Sequence, residues 1–180
     1  MIKLRGLSTF GSKAYSDALY EGELVNGKRH GKGVMRYRNG RVYEGDWIND
    51  AREGKGYERY PNANTYEGNF VQGKAEGRGI FIWNNGETYD GEWQNGVKHG
   101  SGVWTGLHGD KYIGEWRCNK AEGYGVHNWK SGIQSSLSFL GDRYEGEWKG
   151  CLKHGKGTDY FANGDVYSGE YLNGKCILTF

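Results

Sequence analysis

A five-residue word, clearest in Tyr144-Glu145-Gly146-Glu147-Trp148, begins at Tyr20, Tyr43, Tyr66, Tyr89, Tyr112, Tyr144 and Tyr167. Five of the six intervals between these tyrosines are 23 residues and the other is 32. A fixed period of this length marks a repeat array, in which each unit buries its apolar face only against its neighbours. The array occupies residues 20–180, and residues 1–19 are expected to form a cap or irregular strand over its first edge. Lys3, Arg5 and Lys13 give that segment a basic bias, but it lacks the apolar stretch of a targeting sequence.

Tyr89 to Lys111 serves as the pattern of one unit. Side chains alternate along an extended strand, so Tyr89, Gly91 and Trp93 share one face while Asp90 and Glu92 share the other. Gln94-Asn95-Gly96 opens a turn that His99-Gly100-Ser101-Gly102 is expected to complete, and a second strand follows over Val103 to Thr105. His108-Gly109 then returns the chain to the next tyrosine, as Asn39-Gly40, Asn85-Gly86 and Asn163-Gly164 do elsewhere. Each unit reads as a β-hairpin. The expected fold is all-β: a single-layer, twisted antiparallel β-meander with units starting at residues 20, 43, 66, 89, 112, 144 and 167. No stretch keeps helical three-and-four apolar spacing, and no apolar run approaches the ~18 residues of a membrane-spanning helix.

Glycine fills the third position of all seven pentads although it weakens a strand interior, so neighbouring rings are expected to lie over it. The apolar content is largely aromatic, with 7 Trp, 14 Tyr and 6 Phe, which suits a sheet with a half-wet face. Three departures stand out. Glu53, Glu76 and Glu122 replace the histidine of His30, His99 and His154, so those turns should close through different hydrogen bonds. An insertion within 130–140 is expected to loop out, and the last unit is incomplete after Gly174.

Equivalent positions of successive units should stand ~10 Å apart, too far for His30, His99 and His154 to share a metal ion. Cys118, Cys151 and Cys176 occupy different repeat positions without a Cys-x-x-Cys spacing, and reduced thiols are expected. Glu92, Glu115 and Glu147 form a column rather than a single pocketed pair, and no Ser, Cys or His constellation accompanies them. The expectation is therefore a non-enzymatic chain with no catalytic residue, metal or cofactor. In the first turns twelve bases, among them Lys28, Arg29, Arg52, Lys74, Lys98, Lys120 and Lys153, stand against four acids, whereas the pentad strands hold eleven acids against two bases. A basic long edge beside an acidic face can keep a sheet rim soluble or meet an anionic lipid or acidic partner. The acidic face argues against nucleic acid.

The recurring Tyr-Glu-Gly-Glu-Trp, Asn-Gly and His-Gly-x-Gly resembles the MORN (membrane occupation and recognition nexus) repeat, in register over residues 20 to 180. That resemblance implies a curved antiparallel sheet whose groove carries the aromatic and acidic columns. It also implies a scaffold of the kind found in cilia, flagella and parasite cytoskeletons, or in accessory regions of phosphatidylinositol phosphate kinases. The expected site is a groove for a partner peptide or helix. Tyr43, Trp47, Tyr66, Phe70, Tyr89, Trp93, Tyr112, Trp116, Tyr144 and Trp148 would anchor it, and Glu92, Glu115 and Glu147 would select basic residues. The alternative is a membrane-proximal, phosphoinositide-binding module using the basic edge. A cytoplasmic location with cytoskeletal or membrane association is expected, as is pairing of two copies through a terminal sheet edge.

Overall fold

The computed structural model describes residues 7–130 and 141–177; the insertion and the last residues of the tail lie outside that range. Fifteen strands follow one another in sequence order in one antiparallel sheet, and the described residues contain no helix. The chain divides into two compact units, Met1–Asn84 with Gln94–Gly96, and Asn85–Trp93 with Val97–Phe180. The first holds β1 (Thr9–Ala14), β2 (Ala18–Val25), β3 (Lys28–Tyr37), β4 (Val42–Ile48), β5 (Ala51–Arg59), β6 (Thr65–Val71) and β7 (Lys74–Ile82). The second takes in β8 (Thr88–Gln94) as far as Trp93, then β9 (Val97–Thr105), β10 (Lys111–Arg117), β11 (Lys120–Asn128), β12 (Arg143–Lys149), β13 (Leu152–Tyr160), β14 (Val166–Leu172) and β15 (Lys175–Ile177). Strand β1 pairs with β2 from Thr9↔Leu24 to Ala14↔Leu19.

The first turn of each unit is shorter than its glycines suggest. Asn95 and Gly96 both take positive φ, 52° and 84°, and so do the two central residues at the other six tips, from Asn26-Gly27 to Asn173-Gly174. Two such residues make a type I′ turn, whose twist matches that of the flanking strands. Strand β9 consequently begins at Val97 rather than Val103, and His99-Gly100-Ser101-Gly102 lies inside it. Gly100, at φ 58°, sits at the equivalent of Gly155, where the second strand carries two extra residues between the pairs Gly146↔Gly157 and Glu147↔His154. The ladder registers of β2–β3, β4–β5, β6–β7, β10–β11 and β12–β13 all shift at the equivalent place, as a β-bulge requires.

The paired glycines make room for tyrosine. Gly45 and Gly56 face one another across β4 and β5, and the Tyr43 ring crosses them. A Cβ on Gly45 would lie 2.6 Å from the Gly56 Cα, and one on Gly56 would lie 2.5 Å from the Tyr43 Oη. Rings therefore do lie over the glycines, in both units. Six of the seven phenols also donate to the carbonyl of the fourth residue of their own pentad, as Tyr43 does to Asp46 at 3.1 Å and Tyr144 to Glu147 at 3.0 Å, while Tyr167 donates to Ile177. The buried hydroxyls are thus satisfied.

The core of each unit is a ladder of rings on one face. In the first unit Tyr20 and Tyr43 meet Trp47, and Tyr43 and Tyr66 meet Phe70; in the second, Tyr89 and Tyr112 meet Trp116, and Tyr112 and Tyr144 meet Trp148. All eight contacts are edge-to-face, with centroids 5.1 to 5.5 Å apart. Each pair contributes about 0.5–1.5 kcal/mol beyond the area it buries. Successive hairpins are also stitched at their tips, for example by Asp50 N–H donating to the Arg29 carbonyl and Cys151 N–H to that of Ala121. Where glutamate replaces histidine, Glu53, Glu76 and Glu122 accept the amides of Gln72, Asn95 and Gly150 in the next turn, the different hydrogen bonds expected.

Candidate functional site

The ten aromatic residues expected to anchor a partner, Tyr43 to Trp148, are all at most 9% exposed. They form the floor beneath the ladder face and offer little surface of their own. Trp47, Trp116 and Trp148 spend their indole N–H groups on the carbonyls of Gly33, Gly102 and Gly125 at 3.1 to 3.2 Å. Burial raises the phenol pKa values along the ladder, that of Tyr144 to about 12.

Strand alternation sets Glu92, Glu115 and Glu147 on the opposite face from those rings. A ligand segment lying on one face of the sheet therefore reaches the aromatic column or the acidic one, and the two do not form one groove. The acids also have a local task. Glu147 accepts the Lys156 amide at 3.0 Å, and Glu23 and Asp46 accept those of Lys32 and Lys55. Each such carboxylate caps the backbone just after a bulge glycine.

The seven candidate basic residues also divide between surfaces. Lys28, Lys74 and Lys120 are exposed. Arg29, Arg52, Lys98 and Lys153 lie over ladder rings: Arg29 is 4.4 Å from the Trp47 centroid, Arg52 5.1 Å from Phe70, Lys98 4.5 Å from Trp116 and Lys153 4.8 Å from Tyr144. Burial lowers the Lys98 pKa.

A column next to the tyrosines, Met35, Glu58 and Phe81 in the first unit and Trp104, His127 and Asp159 in the second, was not legible from the pentads. Glu58 pairs with Arg41 and, at 2.8 Å, with Arg52. Asp159 pairs with Lys153 at 2.5 Å and accepts the Tyr171 hydroxyl at 2.9 Å. The partner stands six residues earlier each time. Where that earlier residue is alanine, at Ala75 and Ala121, the column holds the rings of Phe81 and His127. This six-residue spacing matches cation to acid or alanine to ring at four of the six positions, while Arg29 and Lys98 stand six residues before Met35 and Trp104.

In the second unit the column forms a shelf. The His127 ring stacks on Trp129 at 4.1 Å, and Trp104 meets its edge at 6.1 Å. Trp104 folds down over Gly106, where a Cβ would lie 2.6 Å from its Cη2. Trp104, His127 and Trp129 are each half-buried, yet the His127 Nε2 is buried without a hydrogen-bond partner. Burial lowers the His127 pKa; Asp110 pulls it up and Lys153 pushes it down. The Lys153 ammonium also lies 5.0 Å from the Trp129 ring. The corresponding region of the first unit carries a half-buried ring cluster of its own, Phe81 4.8 Å from Trp83 and 5.9 Å from Tyr60, with Arg41 over Tyr37 and Tyr60 and the Tyr60 pKa raised to about 12 by burial and by Glu58.

Among the described residues no cluster of His, Cys, Asp or Glu could hold a metal ion, and no helix is long and apolar enough to cross a membrane. Cys118, Cys151 and Cys176 are free and exposed.

No curated protein matches the chain. Among solved structures, the SAS-4 (dCPAP) TCP domain in complex with a Proline Rich Motif of Ana2 (dSTIL) of Drosophila melanogaster is similar at 13% identity over 90% of each chain, with a TM-score of 0.47. The MORN repeat model matches residues 20–40, 43–65, 66–88, 89–106, 112–134 and 144–166, most of the chain. The hairpin period, the tyrosine over its glycine pair and these six matches agree, and the chain belongs to the MORN repeat family.

Proposed function

We propose that this chain is a non-enzymatic protein-interaction scaffold that takes a partner peptide or helix on the ladder face, with the shelf of Trp104, His127 and Trp129 as its principal anchor. The observation that carries the reading is the partial exposure of this shelf beside a ladder whose rings are closed off. An aliphatic or aromatic side chain laid on Trp104 and Trp129 would lose water-exposed surface there, and such aromatic anchors dominate interface energies. Membership of a family of generally non-catalytic repeats fits a scaffold. Cytoplasmic placement on a cytoskeletal or ciliary assembly belongs to the proposal and rests on the family alone.

The test is partner capture from the native cell with two double variants. Trp104→Ala with Trp129→Ala should keep a cooperative melt and lose the partner. Trp93→Ala with Trp116→Ala should lose the melt itself. Undiminished capture by a folded Trp104→Ala/Trp129→Ala variant overturns the shelf as anchor.

A further inference from the structure

The six pentad tyrosines from Tyr20 to Tyr144 are at most 3% exposed, and each covers two facing glycines, as Tyr144 covers Gly146 and Gly157. Tyr167 is partly exposed and covers Gly169 alone. Residues 178–180, Leu-Thr-Phe, hold no glycine to complete the pair. Strand β15 pairs only with Glu170, Tyr171 and Leu172, so among the described residues the outer edge of β14 over 166–169 has no strand beside it.

The other end of the strand order shows the converse. Gly11 faces Gly22 across β1 and β2, but among the described residues a Cβ there would be approached only by the Leu24 Cδ1, at 3.3 Å, and by no ring. Residues 1–6 hold no tyrosine. Leu24 is partly exposed as well, whereas the six later residues at the fifth pentad position, Trp47 to Tyr171, are at most 9% exposed. Trp47 lies between the tyrosines of two pentads, Tyr20 and Tyr43, and residues 1–19 contain no pentad to flank Leu24 in the same way.

We infer that copies of this chain join head to tail, residues 166–169 of one pairing with residues 11–14 of the next. The register of β12 on β13 carries over as Gly169 opposite Gly11, Ser168 opposite Ser12, Tyr167 opposite Lys13 and Val166 opposite Ala14. The Tyr167 ring then crosses Gly11 and packs on Leu24 of the next copy. Three uncovered groups are buried together, and two open strand edges satisfy one another. A second copy is the occupant because a Tyr-x-Gly strand is the part that Gly11 lacks, and β14 presents one on an open edge. Each contact joins two different edges, so it is heterologous and can repeat from copy to copy. The inference does not rest on the shelf.

The test uses the full chain with Cys118, Cys151 and Cys176 replaced by serine. Ser12→Cys is introduced in one preparation and Ser168→Cys in another. Both positions are exposed, and residues directly opposite one another in an antiparallel pair stand ~4.5–5.5 Å apart at Cα, within disulfide reach. Oxidation of the mixture should yield a disulfide-linked pair holding one chain of each kind, and neither preparation alone should. Gly11→Val added to the Ser12→Cys chain should cut that yield about tenfold or more, because the new side chain fills the place of the Tyr167 ring. That variant should fold, since its Cβ meets only the end of the Leu24 side chain. The unaltered chain under reducing conditions should sediment as a 20.3 kDa monomer when dilute and as larger species at millimolar concentration. Pairing of Ser12→Cys chains with one another, equal yields in all three preparations, an undiminished yield with Gly11→Val, or a monomer at every concentration would each overturn the inference.

Discussion

Glu58 in the first unit and Asp159 in the second fill the same column of the repeat and are held differently. Glu58 is 1% exposed between two guanidinium groups; Asp159 is 8% exposed and rests on one ammonium and one phenol. The frame around them, tyrosine over a glycine pair and edge-to-face to its neighbours, is the same. The ladder is therefore the constant device within this chain, and the column beside it changes from repeat to repeat, at four of its six positions in step with the residue six places back. Rings, acids and an imidazole occupy that column in turn, so it is where one repeat acquires an identity that the next lacks.

Breaking the shared frame should cost most. Gly146→Val places a Cβ 2.5 Å from the Gly157 Cα and 2.7 Å from the Lys156 carbonyl, both backbone, so about 4 kcal/mol or more should be lost in urea denaturation. Next come the two carboxylates. Glu58→Gln should cost about 3 kcal/mol, because it strands Arg52, and Asp159→Asn less, because Lys153 is closer to water. Arg52→Ala with Glu58→Phe copies Ala75 with Phe81 and should recover most of that loss; a double variant no better than Glu58→Gln would refute the six-residue rule.

Alkali should affect both units alike. A phenol whose pKa is raised on folding contributes its stability in full below its unfolded value, ~10, and loses it as the pH rises through the folded value, about 12 for Tyr144. Stability should accordingly fall steeply above pH ~10, in step with the rise of tyrosinate absorbance. The smallest effect separates the units. His127 has a lowered pKa, so its contribution is present above the ordinary histidine range and shrinks as the pH falls through it. His127→Phe, which copies Phe81, should remove that acid sensitivity, and an unchanged pH profile would show that it arises elsewhere.

The pitch of the array, the two faces of each pentad and the rings over glycine were legible because period-two alternation and the 23-residue interval are properties of the sequence itself. The column at Glu58 and Asp159 was not. A turn read as extending to Gly102 hid that Val97 to Ser101 is already strand, so Lys98, like Arg52 and Lys153, was counted as edge charge when it lies over the ladder. The bulge adds two residues, so the alternation resumes in phase beyond it and Lys153 and Asp159 keep one face. Glu92 and Glu115 were joined to the aromatic groove through the family resemblance, although the alternation of the pentad already set them on the other face.

The central claim, that the ladder builds the fold and the shelf beside it meets the partner, is tested most directly by oxidative footprinting of the tryptophans. In the free chain Trp104 and Trp129 should react well ahead of Trp47, Trp116 and Trp148, and the captured partner should protect that pair alone. Equal reactivity of all five in the folded chain, or partner protection that leaves Trp104 and Trp129 reactive, would contradict the account.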